Sequence, residues 1–141
     1  MTENNLSRFI EAQKNDYQKA LSEIINGRKQ SHWMWYVFPQ IDGLAFSSTS
    51  KFYSIKNLDE AQQYLNHPVL GTRLIEISNA LLSLKSRNPN QILGSPDDLK
   101  LKSSMTLFSS LTETNPVFQK VLDEFFNGAK DDKTLQILKT N

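Results

Sequence analysis

The stretch Leu70-Gly-Thr-Arg-Leu-Ile-Glu-Ile-Ser-Asn-Ala-Leu-Leu-Ser-Leu84 decides the fold class. Its apolar positions Leu70, Leu74, Ile77, Leu81 and Leu84 step by 4, 3, 4 and 3, which is the spacing of one buried stripe along a helix. The same grammar extends in both directions. Upstream, Leu6, Phe9, Ile10, Tyr17, Leu21, Ile24 and Ile25 predict one or two amphipathic helices, stopped at Asn26-Gly27 where glycine takes the left-handed conformation cheaply. Asn57 followed by Glu60 opens another helix, and His67-Pro68 interrupts it. Downstream, Asn88-Pro89 begins a short helical turn that Gly94 ends.

Ser95-Pro96-Asp97-Asp98 predicts a further helix start, with serine as cap, proline in the first position and two carboxylates at the positive end of the dipole. Leu101, Met105, Phe108 and Leu111 then face inward. Asn115-Pro116 repeats the device ahead of Phe118, Val121, Leu122 and Phe125, and Gly128 follows. Residues 134–138 add a final turn. Between these helices, residues 39–56 (PQIDGLAFSSTSKFYSIK) have no helical period and contain the turn signal Asp42-Gly43, with Phe52, Tyr53 and Ile55 expected over the core. The expectation is an all-α domain of five to seven helices with one irregular region, about 39–56, and a single domain over 1–141.

Composition narrows the function. The 141 residues carry a net charge of +1, so no basic field drives nucleic-acid binding. The longest apolar run, Trp33 to Phe38, is far below the roughly 20 residues of a membrane span. The first ten residues lack the features of a secretory signal, and the absence of cysteine fits a reducing cytoplasm. A cytoplasmic protein with neither membrane nor nucleic acid as partner is expected. The five glycines are never closer than sixteen positions, so no dinucleotide fingerprint, P-loop or nucleophile elbow exists. His32 and His67, the two histidines, show no ligand spacing with the carboxylates, so neither a metal nor a cofactor is implied.

Two segments carry residues with chemistry. Gly27-Arg-Lys-Gln-Ser-His-Trp-Met-Trp-Tyr-Val-Phe-Pro-Gln40 holds four of the fourteen aromatic residues beside an imidazole and two cations. It reads either as an aromatic platform for a ring-bearing anion or as core with basic residues at its mouth. In Ser95–Phe108, Asp97/Lys100 and Asp98/Lys102 have helical ion-pair spacing and satisfy a solvated face. Ser103, Ser104 and Thr106 have modest helix propensity, which points to close packing or to a ligand.

GRKQSHWMWYVFPQ (27–40), HPVLGTRL (67–74) and SPDDLKLKSSMTLF (95–108), in that order and spacing, resemble the motifs of the domain of unknown function 1810, a bacterial family, over about residues 6–138. Departures are Gln30, where the family usually has a basic residue, and Tyr36, where it has phenylalanine. The resemblance implies a single all-helical domain and makes Trp33–Phe38 a buried helical turn, although its residue types favour a strand. The family carries no activity to transfer. The calpastatin label on some members does not fit, since that inhibitor's repeats are disordered and this chain is built to bury a core. Asp98, Lys102, Met105 and Asn115-Pro116 bear a looser likeness, displaced by about a residue, to the NADAR family that processes ADP-ribose-type N-glycosides.

The leading expectation is a helical domain that binds a nucleotide-like or ADP-ribose-like small anion, with hydrolysis of an N-glycosidic bond as its extension. Trp33 or Trp35 stacks the ring and Arg28, Lys29 or Arg73 meets phosphate. Gln40, Lys100, Ser103, Ser104 and Thr106 complete the binding set, and His32, Asp97 and Asp98 supply acid–base chemistry. The alternative is a non-catalytic module whose aromatic groove takes a protein or peptide. The first reading requires the two segments to meet in space.

Overall fold

The structure is a computed structural model that describes residues 6–140. Among the described residues there are nine helices: α1 (Ser7–Ile25), α2 (Met34–Val37), α3 (Ser48–Phe52), α4 (Leu58–Asn66), α5 (Leu70–Leu82), α6 (Pro89–Leu93), α7 (Asp97–Ser109), α8 (Val117–Phe126) and α9 (Asp132–Thr140). The only strand-like pairing among them is an isolated parallel bridge between Ile41 and Ile55. The all-α expectation holds. The helix count exceeds the expected five to seven because of very short segments, one of which, α3, lies inside the region read as irregular. Ser47 nucleates it by accepting a hydrogen bond from the Ser50 N–H.

Local signals place most helix ends. The Asn57 side chain accepts from the Glu60 N–H at 2.9 Å, and Asn88 accepts from the Asn90 and Gln91 N–H groups. Gly27 takes φ +84°, and α1 ends just before it as one unbroken helix. Two expected caps are out of register: α8 begins at Val117 with Pro116 at its N-cap and Asn115, one position further out, accepting from the Val117 N–H at 2.9 Å, and α7 behaves alike. Ser95 does not cap α7: the helix begins at Asp97, Pro96 stands at its N-cap, and no side chain closes the first turn. The Asp98 carboxylate instead accepts from the N–H of Leu99, its own neighbour, at 2.9 Å.

Helix α7 is the central element. It packs on α4, α6, α8 and α9, and residues 103–108 are buried without interruption. A helix enclosed on several sides needs small side chains where its neighbours approach, and the serines and threonine of this stretch meet that need. Around it, α1 packs on α2 and α5, and α5 on α4 and α8. The stripe Leu70, Leu74, Ile77 and Leu81 is fully inside one continuous core. Gly71 allows α5 to cross the end of α4: a Cβ there would lie 1.8 Å from the Leu65 carbonyl oxygen. No helix among the described residues is long and apolar enough to cross a membrane.

Candidate functional site

Glu23, on the last turns of α1, organises the loop into α2. Its carboxylate accepts hydrogen bonds from the Gln30 N–H at 2.7 Å, the Ser31 N–H at 3.0 Å, the Ser31 hydroxyl at 2.6 Å and the Trp33 indole N–H at 2.9 Å. Burial by itself would raise its pKa, but the donors from Ser31, Gln30 and Trp33 outweigh that and hold the carboxyl down at about 2. The loop so fixed points Lys29 at α7. The Lys29 ammonium lies 2.9 Å from Asp97 Oδ2 and 5.2 Å from the centre of the Trp33 ring.

Asp97 also receives Lys100, whose ammonium lies 3.3 Å from Oδ1 and 3.8 Å from the centre of the Trp35 ring. Two lysines thus share one carboxylate, and each sits over a different tryptophan. The two sequence segments do meet, through the Lys29–Asp97 pair and the Lys100–Trp35 contact. Two positive charges against one negative leave this cluster with a net positive charge.

Lys100 stands on the boundary of two adjoining recesses. The inner one, of about 20 Å³, is a tight slot between α2 and the 42–54 loop, walled by Met34, Trp35, Phe38, Tyr53 and Leu44. The outer one, of about 230 Å³, is broader and more open and is bordered by Leu99, Ser103, Asp131 and Lys133. Gln40, Leu44, Ala45 and Lys100 line both. The loop that forms one wall is pinned at its neck, where the Asp42 N–H donates to the Ile55 carbonyl at 2.7 Å and the Ile55 N–H to the Gln40 carbonyl at 2.8 Å. Arg8 braces its second leg by donating to the Phe52 and Ser54 carbonyls and to Glu60.

The expected site residues therefore divide. Trp35, Gln40, Lys100 and Ser103 line the recesses, and Lys29 and Asp97 back them as an ion pair. Trp33 is 1% exposed, so its ring belongs to the core and offers no face to a ligand. Ser104 is fully buried and its hydroxyl has no hydrogen-bond partner among the described residues. Thr106 is fully buried as well; it donates to the Lys102 carbonyl and accepts from the Asp131 N–H at 2.9 Å, which fastens α9 to α7. Arg28 and His32 are exposed and line neither recess.

Arg73 sits elsewhere, on the α1–α5 seam. Its guanidinium lies 5.0 Å from the Tyr17 ring centre and 3.4 Å from the Gln13 side-chain oxygen. Burial, and then the hydrogen bond from the Tyr17 hydroxyl to Glu76, push that phenol far above its ordinary pKa. Asp98 is turned toward Asn90, whose amide lies 3.4 Å away. Sequence reading missed Tyr53, Asp131, Lys133 and Glu23. The first three lie on segments without a ligand pattern, and Glu23 looks like any exposed glutamate of an amphipathic helix.

The class is thus an all-helical domain with two adjoining recesses beside its central helix and a lysine at their shared boundary. The chain belongs to the DUF1810 family, described as a protein of unknown function, whose profile matches residues 3–138. It is similar to a conserved hypothetical protein, Rv1873 from Mycobacterium tuberculosis, known from a crystal structure at 1.38 Å; the two are 42% identical, with a TM-score of 0.94 over 97% of this chain and 98% of the other. No curated protein matches.

Proposed function

We propose that this protein binds a small anion bearing a planar ring, of the nucleotide type, with the ring in the inner slot and the charge at Lys100. The single observation that carries this reading is the position of the Lys100 ammonium, held by Asp97 and Trp35 at the boundary of both recesses. An incoming phosphate competes with Asp97 for that ammonium. As Lys100 shifts, the face of Trp35 is uncovered for the ring. The slot holds about 20 Å³ in this structure, so the ring enters as Lys100 and the 42–54 loop give way along the face of Trp35.

The geometry supports binding more than hydrolysis of an N-glycosidic bond. Each oxygen of Asp97 faces a lysine, and His32 and Asp98 border neither recess, so the expected trio His32, Asp97 and Asp98 does not converge on one reacting atom. The alternative of a peptide-binding module draws on the exposed Phe46 and Leu99, of which Leu99 borders the outer recess.

A thermal-shift screen against nucleoside mono- and diphosphates, nicotinamide dinucleotide and ADP-ribose tests the reading. A ligand at 100 times its dissociation constant adds about 2.7 kcal/mol. The Lys100→Met variant is expected to melt cooperatively and to lose the ligand-induced shift. If none of these compounds raises the melting temperature, or if the variant keeps the full shift, the reading fails.

A further inference from the structure

Resting on that reading, we infer that the outer recess is a second subsite, built for a hydroxyl-rich group joined to the anion. Lys100 at the shared boundary is already engaged with Asp97, whereas Asp131, Lys133 and the Gln40 amide around the outer recess keep polar atoms without partners among the described residues. Asp131 is fixed in place three times over. Its N–H donates to Thr106 at 2.9 Å, and its Oδ2 accepts from the Thr134 N–H at 2.9 Å and from the Thr134 hydroxyl at 2.6 Å. These bonds cap α9 and leave Oδ1 without a partner among the described residues. The Gln40 amide and the Lys133 ammonium, which border the same recess, also have no side-chain partner there. The Ser103 hydroxyl donates to the Leu99 carbonyl at 3.1 Å and keeps its acceptor capacity.

The recess thus presents an anionic acceptor, a cationic donor, an amide with both functions and a hydroxyl acceptor. A bare phosphate would meet Asp131 as a like charge. A group carrying several hydroxyls, each a donor and an acceptor, satisfies all four. The order of the recesses then reads as a ligand: planar ring in the slot, anionic linker at Lys100, polyol beyond it. Because Asp131 is held by the helix it caps, its free oxygen is oriented before the ligand arrives.

The test compares affinities of adenosine monophosphate, adenosine diphosphate and ADP-ribose by titration calorimetry, with wild type and Asp131→Ser. Serine retains the cap on α9 and removes the free oxygen, so equal melting temperatures without ligand confirm that the variant is folded. ADP-ribose is expected to bind wild type about tenfold more tightly than the diphosphate, the worth of one charge-assisted hydrogen bond, and Asp131→Ser to abolish that gain. Equal affinity of the diphosphate and ADP-ribose in wild type, or a gain that survives in Asp131→Ser, overturns the subsite while leaving nucleotide binding at Lys100 intact. Failure of all three compounds to bind overturns both.

Discussion

Glu23 is the group whose removal tests how the site is assembled. Replacing it with alanine deprives four donors of their acceptor at once. The Gln30 and Ser31 N–H groups reach water, since Glu23 is half-exposed and Gln30 exposed. The Trp33 indole N–H has no such escape, because the residue is 1% exposed. An orphaned buried donor costs about 1–3 kcal/mol, and the lost charge-assisted bonds of the loop bring Glu23→Ala to about 2–4 kcal/mol. The pH dependence supplies a sharper check. The folded-state pKa of about 2 lies below the ordinary 4.5, so the carboxylate's contribution is fully present above pH 4.5 and is lost as pH falls toward 2. The whole shift corresponds to about 3.4 kcal/mol, which solvent screening of a half-exposed group reduces to about 1–2 kcal/mol. Urea unfolding of wild type and Glu23→Ala at pH 7, 5, 4 and 3 measures it. The stability gap should be constant from pH 7 to 5 and lose more than half of its pH-dependent part by pH 3. A gap that stays level down to pH 3 would show that the carboxylate does not hold this loop, and the account of how Lys29 reaches Asp97 would go with it.

Four other perturbations probe separate parts of the argument. Gly71→Ala places a methyl group against the Leu65 backbone, so it should destabilise by about 3 kcal/mol despite alanine's better helix propensity; a neutral denaturation midpoint would contradict the close crossing of α4 and α5. Ser104→Ala removes a buried hydroxyl that has no partner among the described residues and should leave stability unchanged or raise it by up to about 1 kcal/mol, whereas a measurable loss in chemical denaturation would reveal a bond the hydroxyl makes. Asp97→Asn unpairs two lysines, one of them 8% exposed, and should cost about 2 kcal/mol. Asp98→Asn should cost a few tenths to about 1 kcal/mol through the helix dipole; thermal melts showing equal losses would refute the distinction between the two aspartates.

Helix existence and type were legible in this sequence because they depend on neighbours within a few positions. The stripe at Leu70, Leu74, Ile77 and Leu81, the asparagine caps at 57 and 88 and the glycine stops at 27 and 128 need no distant partner to take effect. Ser95 shows the limit even locally: a residue with capping chemistry did not cap, because α7 starts one step beyond Pro96.

Tertiary structure alone decided the site. Trp33 and Trp35 are two positions apart with identical side chains, yet one fills the core and the other borders a recess: Trp33 stands at the N-cap of α2, bonded to Glu23, whereas Trp35 lies within α2 beside Lys100. Ser103, Ser104 and Thr106 carry the same kind of hydroxyl. Only contact with α9 makes Thr106 a fastener, and only the recess beside Gln40 leaves Ser103 accessible to a ligand. The Lys29–Asp97 pair joins segments far apart along the chain, and charges carry no record in sequence of the partner they will meet. Periodicity encodes which face of a helix is buried. What that face is buried against, and what is left uncovered beside it, is set when the helices pack.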